Sequence, residues 1–174
     1  MNLRKIWGGL ILSAVVISGV SAGTAEERLV ELKIELPKTS KPVANYVPAV
    51  RSGNLVFLAG HIPKNKAGEF ITGKVGVDIT LEEGQHAAKR TALALLATLR
   101  SEIGSLDRVQ RIVRVEGFVN CPTDFTNQSK VINGCSDLLV EIFGDKGRHA
   151  RMAIGAGSLP LDASVEIALI VEIK

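Results

Sequence analysis

The most regular signal in the chain is a run with helical period. Thr80 followed three residues on by Glu83 makes a capping box, and Glu82 and Glu83 suit the positive end of a helix. Ala88, Ala92, Leu95, Leu96, Leu99 and Ile103 then recur at the spacing of one buried stripe, and Gly104 ends it. Ala87, Thr91, Ala94 and Thr98 are small, so this helix can lie close to its support. A second helix is predicted from Val131 to Phe143, with Val131, Cys135, Leu138, Leu139 and Ile142 on one side and Gly144 beyond.

Alternation marks the strands. Leu29 to Leu36 alternates loosely and reads as a first strand, followed by a breaker cluster from Pro37 to Pro42. Tyr46 to Val50 and Leu55 to Ala59 flank Ser52-Gly53-Asn54 as a hairpin. Lys64 to Gly73 is polar and reads as an exposed loop. In Val109 to Val119, period two puts Val109, Val113, Val115 and Val119 on one face. Arg151 to Gly157 and Ser164 to Ile173 are the final strands, joined through Leu159-Pro160-Leu161-Asp162. Strands, helix, strand, helix, strands is the order of an α+β sandwich, with two helices on one face of a sheet. Val165, Ile167, Leu169, Val171 and Ile173 share one face of the last strand, while Ala168 and Ile170 lie on the other. With both helices spent on the first face, the cover expected for the second is another subunit.

The amino terminus reads differently. Arg4 and Lys5, the apolar run Ile6 to Val20, and the small residues Ser21 to Ala25 form the three-part pattern of a secretory signal. The run is too short to span a bilayer. Small residues fit a cut after Ala22 or after Ala25, and no Cys follows for a lipid anchor. Residues 1–25 are therefore read as an export signal and residues 26–174 as one domain, periplasmic or secreted, with no membrane attachment after cleavage. Arg4 and Lys5 also supply two of the three net positive charges, so the domain is close to neutral. Aromatics are only 4% of the chain. Neither fact favours a nucleic-acid-binding face. Cys121 and Cys135 stand either as a disulfide or as two buried thiols.

The usual catalytic patterns are missing. His61, His86 and His149 stand in no metal-ligand spacing, so no metal is expected, and His86 falls on the polar side of its helix. There is no dinucleotide fingerprint, no nucleophile elbow, and no Ser or Cys with a recognisable base. The informative strand is Arg151-Met152-Ala153-Ile154-Gly155-Ala156-Gly157. Arg151, Ala153, Gly155 and Gly157 share a face that is nearly bare beyond the arginine, and a planar guanidinium suits a carboxylate. Glu166, flanked by Val165 and Ile167, is an acid that can hold a water or move a proton. From spacing alone, Arg151 and Glu166 read first as a structural ion pair between neighbouring strands. His149 is placed on the opposite strand face and is not counted as catalytic.

Tyr46-Val47, then Leu58-Ala59-Gly60-His61-Ile62-Pro63, then Ala150-Arg151-Met152-Ala153 running into Leu159-Pro160 and Val165-Glu166-Ile167, together resemble the YjgF/RidA (L-PSP endoribonuclease-like) family. The resemblance implies a chorismate-mutase-like α+β fold, a mixed sheet with two helices on one face, and a homotrimer with ligand clefts between subunits. It implies hydrolysis of reactive 2-imino and enamino acids to 2-oxo acids and ammonia, with no cofactor. On this resemblance Arg151 binds the substrate carboxylate and Glu166 positions water. Tyr46 and Gly60 line the cleft, Ala153 stands where deaminases of the family carry a cysteine, and Asn133 matches a cleft asparagine. The partners implied are the chain's own copies and a small carboxylate. The alternative is a trimer of the same fold that binds carboxylates or acts like a chaperone without catalysis. RNA cleavage has the least support from the charge and the aromatic content.

Overall fold

The computed structural model describes residues 23–39 and 45–174. The segment read as an export signal lies outside them, except for Gly23, Thr24 and Ala25.

The first element is a helix, α1 (Ala25–Glu31), where a strand over Leu29 to Leu36 was expected. Thr24 and Glu27 form the same reciprocal cap that starts the longest helix, satisfying two backbone N–H groups at once. Ala25 and Leu29 are buried and Leu32 is partly buried, a helical spacing. Ile34 and Leu36, which alternate, lie against the core without joining the sheet.

A hairpin follows, β1 (Ala49–Ser52) and β2 (Leu55–His61), turning at Gly53, whose φ of 62° needs no Cβ. Tyr46 and Val47 precede the strand and are exposed. Next come α2 (Leu81–Ile103), β3 (Val109–Asn120), α3 (Gln128–Phe143), β4 (Ala150–Ala156) and β5 (Val165–Ile173). The predicted stripes of α2 and α3 are buried. The sheet runs β1-β2-β5-β3-β4 and is mixed: β3 and β4 are parallel, with α3 as their crossover, and the other pairs are antiparallel. α2 packs on β2 and β5, α3 on β3 and β4, and α1 leans on α3.

Two bulges in β3 change which residues face the helices. Val109 opposes Ile173, Ile112 opposes Val171 and Val115 opposes Leu169, so β3 twice advances three residues for two of β5. Ile112 therefore takes the core place expected of Val113, which is only half-buried.

β5 alternates as expected, with Val165, Ile167, Leu169, Val171 and Ile173 buried under the helices. Its other face carries Glu166, Ala168 and Ile170, flanked by Phe57 at 41% and Ile154 at 44% exposure. Among the described residues no element covers this apolar sheet face. Both cysteines are buried free thiols.

α3 is held at close range from two sides. A Cβ on Gly117 would come within 2.7 Å of the Ile132 side chain, so β3 is bare where α3 sits on it. A Cβ on Gly134 would come within 2.8 Å of the backbone carbon of Gln85, so α2 and α3 meet backbone to backbone. Gly134→Ala replaces glycine by a better helix former, worth about 1 kcal/mol on propensity. The overlap is with backbone, however, and cannot be relieved by a rotamer. The variant is expected to lose about 1–3 kcal/mol in urea unfolding; a gain would show that the two helices have slack.

Candidate functional site

Arg151 sits on the edge strand β4, opposite Val115, which in turn opposes Leu169. Directly paired residues share a sheet face, so Arg151 projects to the helix side. There α3 meets it. Nη1 of Arg151 donates to Asn133 Oδ1 at 2.7 Å and to Ser136 Oγ at 3.1 Å. Neither partner is charged, and Arg151 has no ion pair among the described residues. The guanidinium is anchored at one nitrogen, while its Nε and Nη2 edge has no protein acceptor among those residues. Such an edge can grip a carboxylate with two parallel hydrogen bonds.

Ser136 leads to a residue the sequence reading set aside. Its Oγ lies 3.0 Å from His149 Nε2, and His149 Nδ1 lies 2.6 Å from the Gly147 carbonyl oxygen. A carbonyl only accepts, so Nδ1 carries the proton and Nε2 is free to accept. Burial pulls the His149 pKa below its ordinary value against the opposing bond to Gly147, and the Arg151 charge adds to the depression. His149 is two residues before Arg151 and reaches the same side of the sheet, not the opposite one.

The bare face expected beyond Arg151 is partly filled. Ala153 opposes Gly117 and packs against the core. At Gly155 a Cβ would come within 2.9 Å of both Cys121 Sγ and Gln128 Nε2. A hollow of about 270 Å³ remains around Cys121, Gln128 and Gly157.

Glu166 lies elsewhere. It opposes Phe118 and follows Val165, which faces the helices, so its carboxylate is on the open face. A bulge in β2 between Leu58 and His61 brings Gly60 beneath it. A Cβ on Gly60 would come within 3.0 Å of Glu166 Cδ, so a side chain there would push the acid from its present place. Burial pushes the Glu166 pKa up, with no charged partner to pull it back. An acid of that kind suits proton transfer.

Gly60 also lines a cavity of about 640 Å³, together with Tyr46, His61, Phe70, Arg90 and Leu161. His61 is fixed by Ala59 O and Thr98 Oγ1, each at 2.8 Å, and burial lowers its pKa. At the rim, Leu161 and Asp162 hold φ of 55° and 53°, a left-handed conformation costly for residues with a Cβ. Asp162 is tied there by Asn120 Nδ2 on its Oδ1 at 3.0 Å and by Gly73 N–H on its carbonyl at 2.9 Å.

The six candidate residues thus form two groups. Arg151, Asn133 and Ala153 stand on the helix side at β4; Glu166 lies over Gly60 at β5 and β2, and Tyr46 lines the cavity beside Gly60. The reading of Arg151 and Glu166 as an ion pair on neighbouring strands is overturned: β3 lies between β4 and β5, and the two side chains leave opposite faces. Ser136 and His149 were missed, although the two-residue spacing of His149 and Arg151 placed them on one face. Among the described residues no three His, Cys, Asp or Glu side chains gather to hold a metal ion.

Known proteins resemble the chain over this whole region. Protein TCP17 of Trypanosoma cruzi is 42% identical over 91% of this chain and 99% of its own length. The crystal structure of Agrobacterium tumefaciens Atu1372 superposes with a TM-score of 0.80 at 42% identity, covering 86% of this chain and 92% of that one. A 2-iminobutanoate/2-iminopropanoate deaminase of Dermatophagoides farinae is 29% identical over 81% of this chain and 95% of its own. The family model of the YjgF/chorismate mutase-like endoribonucleases matches residues 26–173, every strand and all but the first residue of the helices. The chain belongs to the YjgF/chorismate mutase-like family.

Proposed function

We propose that this protein hydrolyses small 2-imino and enamino acids to 2-oxo acids and ammonia, as a homotrimer with its clefts between subunits. The observation that carries the reading is the guanidinium of Arg151, held at one nitrogen by Asn133 and Ser136 with no acid opposite it. The name of the mite relative, a 2-iminobutanoate/2-iminopropanoate deaminase, supports the substrate class.

The chemistry asks for little. Arg151 holds the carboxylate and so orients the neighbouring C=N carbon. The oxygen of one water adds to that carbon, its protons pass to nitrogen, and the C–N bond breaks to release ammonia. Nothing is oxidised or reduced, so the balance calls for no cofactor. Glu166, with its raised pKa, activates the water and returns the proton. One ligand meets both Arg151 and Glu166 only where Glu166 comes from a second copy, because the two leave opposite faces of one sheet. The uncovered apolar face supports the same assembly. Tyr46 and Gly60 then line the cleft beside Glu166, with Ala153 and Asn133 on the Arg151 side.

Export is part of the proposal. Of the two cuts compatible with the small residues, the one after Ala22 leaves Thr24 to cap α1, whereas the one after Ala25 removes that cap. Sequencing the amino terminus of the exported protein is expected to begin at Gly23. A start at Glu26 would contradict the cap argument.

In solution the domain is expected to sediment at three times its monomer mass; a monomer would remove the shared cleft. With 2-iminopropanoate generated by an amino-acid oxidase, the protein is expected to speed decay. Arg151→Ala is expected to lower kcat/KM by about 10- to 100-fold, the worth of one or two charge-assisted hydrogen bonds. Equal decay with and without the protein rejects hydrolysis, and carboxylate binding without turnover supports the non-catalytic trimer.

Glu166→Gln tests the acid from the other side. A carboxyl with its pKa raised in the fold adds stability at low pH that is lost as pH rises through the folded value. The variant is therefore expected to lose activity yet melt higher than wild type at pH 7, with the gain shrinking towards pH 4.5.

A further inference from the structure

We infer that the cavity of about 640 Å³ beside Gly60 binds an organic anion with an aromatic body, at cations separate from Arg151. The inference does not rest on imine hydrolysis, because the charged groups of this cavity are ones that reaction does not use.

Charge carries the argument. Lys38, Lys64, Lys66 and Arg90 line the cavity, and no Asp or Glu does. None of the four is in an ion pair among the described residues. Cations gathered in a cleft without an acid focus a field that draws an anion. The one acid of the Lys64 to Phe70 loop, Glu69, is held by Asn65 Nδ2 at 2.8 Å and does not line the cavity. The cations are also placed before any ligand arrives. Arg90 Nε donates to Lys64 O at 2.8 Å and Nη2 to Asn65 O at 3.3 Å, which ties the loop to α2. Nη1 is left without an acceptor among the described residues. Within the loop, Asn65 Oδ1 accepts from the N–H groups of Ala67 and Glu69 at 2.9 and 3.0 Å.

Apolar surface in the same cavity gives the ligand its body. The chain has one tyrosine and five phenylalanines. The tyrosine, Tyr46, and one phenylalanine, Phe70, stand here at 53% and 40% exposure. Leu161 joins them at 65%, and its φ of 55° is the costly one described above. Rings and a leucine left in water, the leucine on a strained backbone, are surface that an apolar body would cover. Lys64 Nζ lies 4.7 Å from the centroid of the Phe70 ring. An anionic head on that ammonium therefore has a ring beside it for its own aromatic part. The volume falls within the range of about 300–1,000 Å³ found for small-molecule sites.

The test follows backbone amide NMR signals of the exported protein titrated with 3-phenylpropanoate and, separately, with phenyl phosphate, which tell a carboxylate head from a phosphate. Neutral 3-phenylpropanol supplies the body alone and acetate the head alone. At least one phenyl anion is expected to saturate, moving the amides of Gly60, Phe70 and Arg90, and to bind about tenfold or more tighter than either control. Its affinity is expected to fall as salt is raised from about 0.05 M to about 0.5 M. The double variant Lys64→Gln with Lys66→Gln is expected to weaken it about tenfold or more without lowering the melting temperature, since the carbonyls that Arg90 holds remain. Arg151→Ala is expected to leave it within about twofold. Binding of one anion and not the other keeps the site and names its head group. The site is overturned if neither anion saturates by about 10 mM, if the alcohol binds as well, or if the double variant binds like wild type. Binding lost in Arg151→Ala and kept in the double variant also overturns it, by placing the anion on Arg151. Imine hydrolysis is measured apart from all of these, so the proposed function stands or fails separately.

Discussion

The close seat of α3 is the contact on which the site depends. Gly117 lets Ile132 down onto β3, and Gly134 lets α3 touch the backbone of α2. Those contacts fix the height and rotation of α3 over the sheet edge. Asn133 and Ser136, on either side of Gly134, then meet Arg151 on β4. An arginine on an edge strand would otherwise sample many rotamers, at a cost of about 2 kcal/mol to order. Here one nitrogen is held before any ligand arrives, so less ordering remains for binding to supply.

The same sheet divides the chemistry. Arg151, anchored and unpaired by any acid, lies on the face that also buries the core. Glu166, desolvated over Gly60, lies on the face that no element covers among the described residues. Local backbone devices hold this second group in place: the β2 bulge that brings Gly60 under the acid, and the left-handed pair Leu161 and Asp162 at the cavity rim. Strain of this sort survives only where surrounding bonds determine it, and here Asn120 and Gly73 do so.

Much of this was legible from residues. The capping box at Thr80 and the stripe down to Ile103 marked α2, the alternation from Val165 marked β5, and Arg151 stood out by the bareness after it. α1 was misread because Leu29 to Leu36 alternates while its cap, Thr24 and Glu27, lies upstream of that stretch. Val113 was misplaced because bulges shift a strand's faces without a local sequence mark. Arg151 and Glu166 could not be separated from sequence because their separation follows from β3 lying between their strands. The link from Ser136 to His149 depends on the rotation of α3. The shared parity of His149 and Arg151 was nevertheless present in the chain.

The most direct test of the account is a crystal structure of the mature protein with 2-oxobutanoate bound. The account places its carboxylate on the Nε and Nη2 edge of Arg151, with Glu166 of a different copy across the same cleft. A carboxylate bound away from Arg151, or a cleft in which Arg151 and Glu166 of one chain both face the ligand, would contradict it.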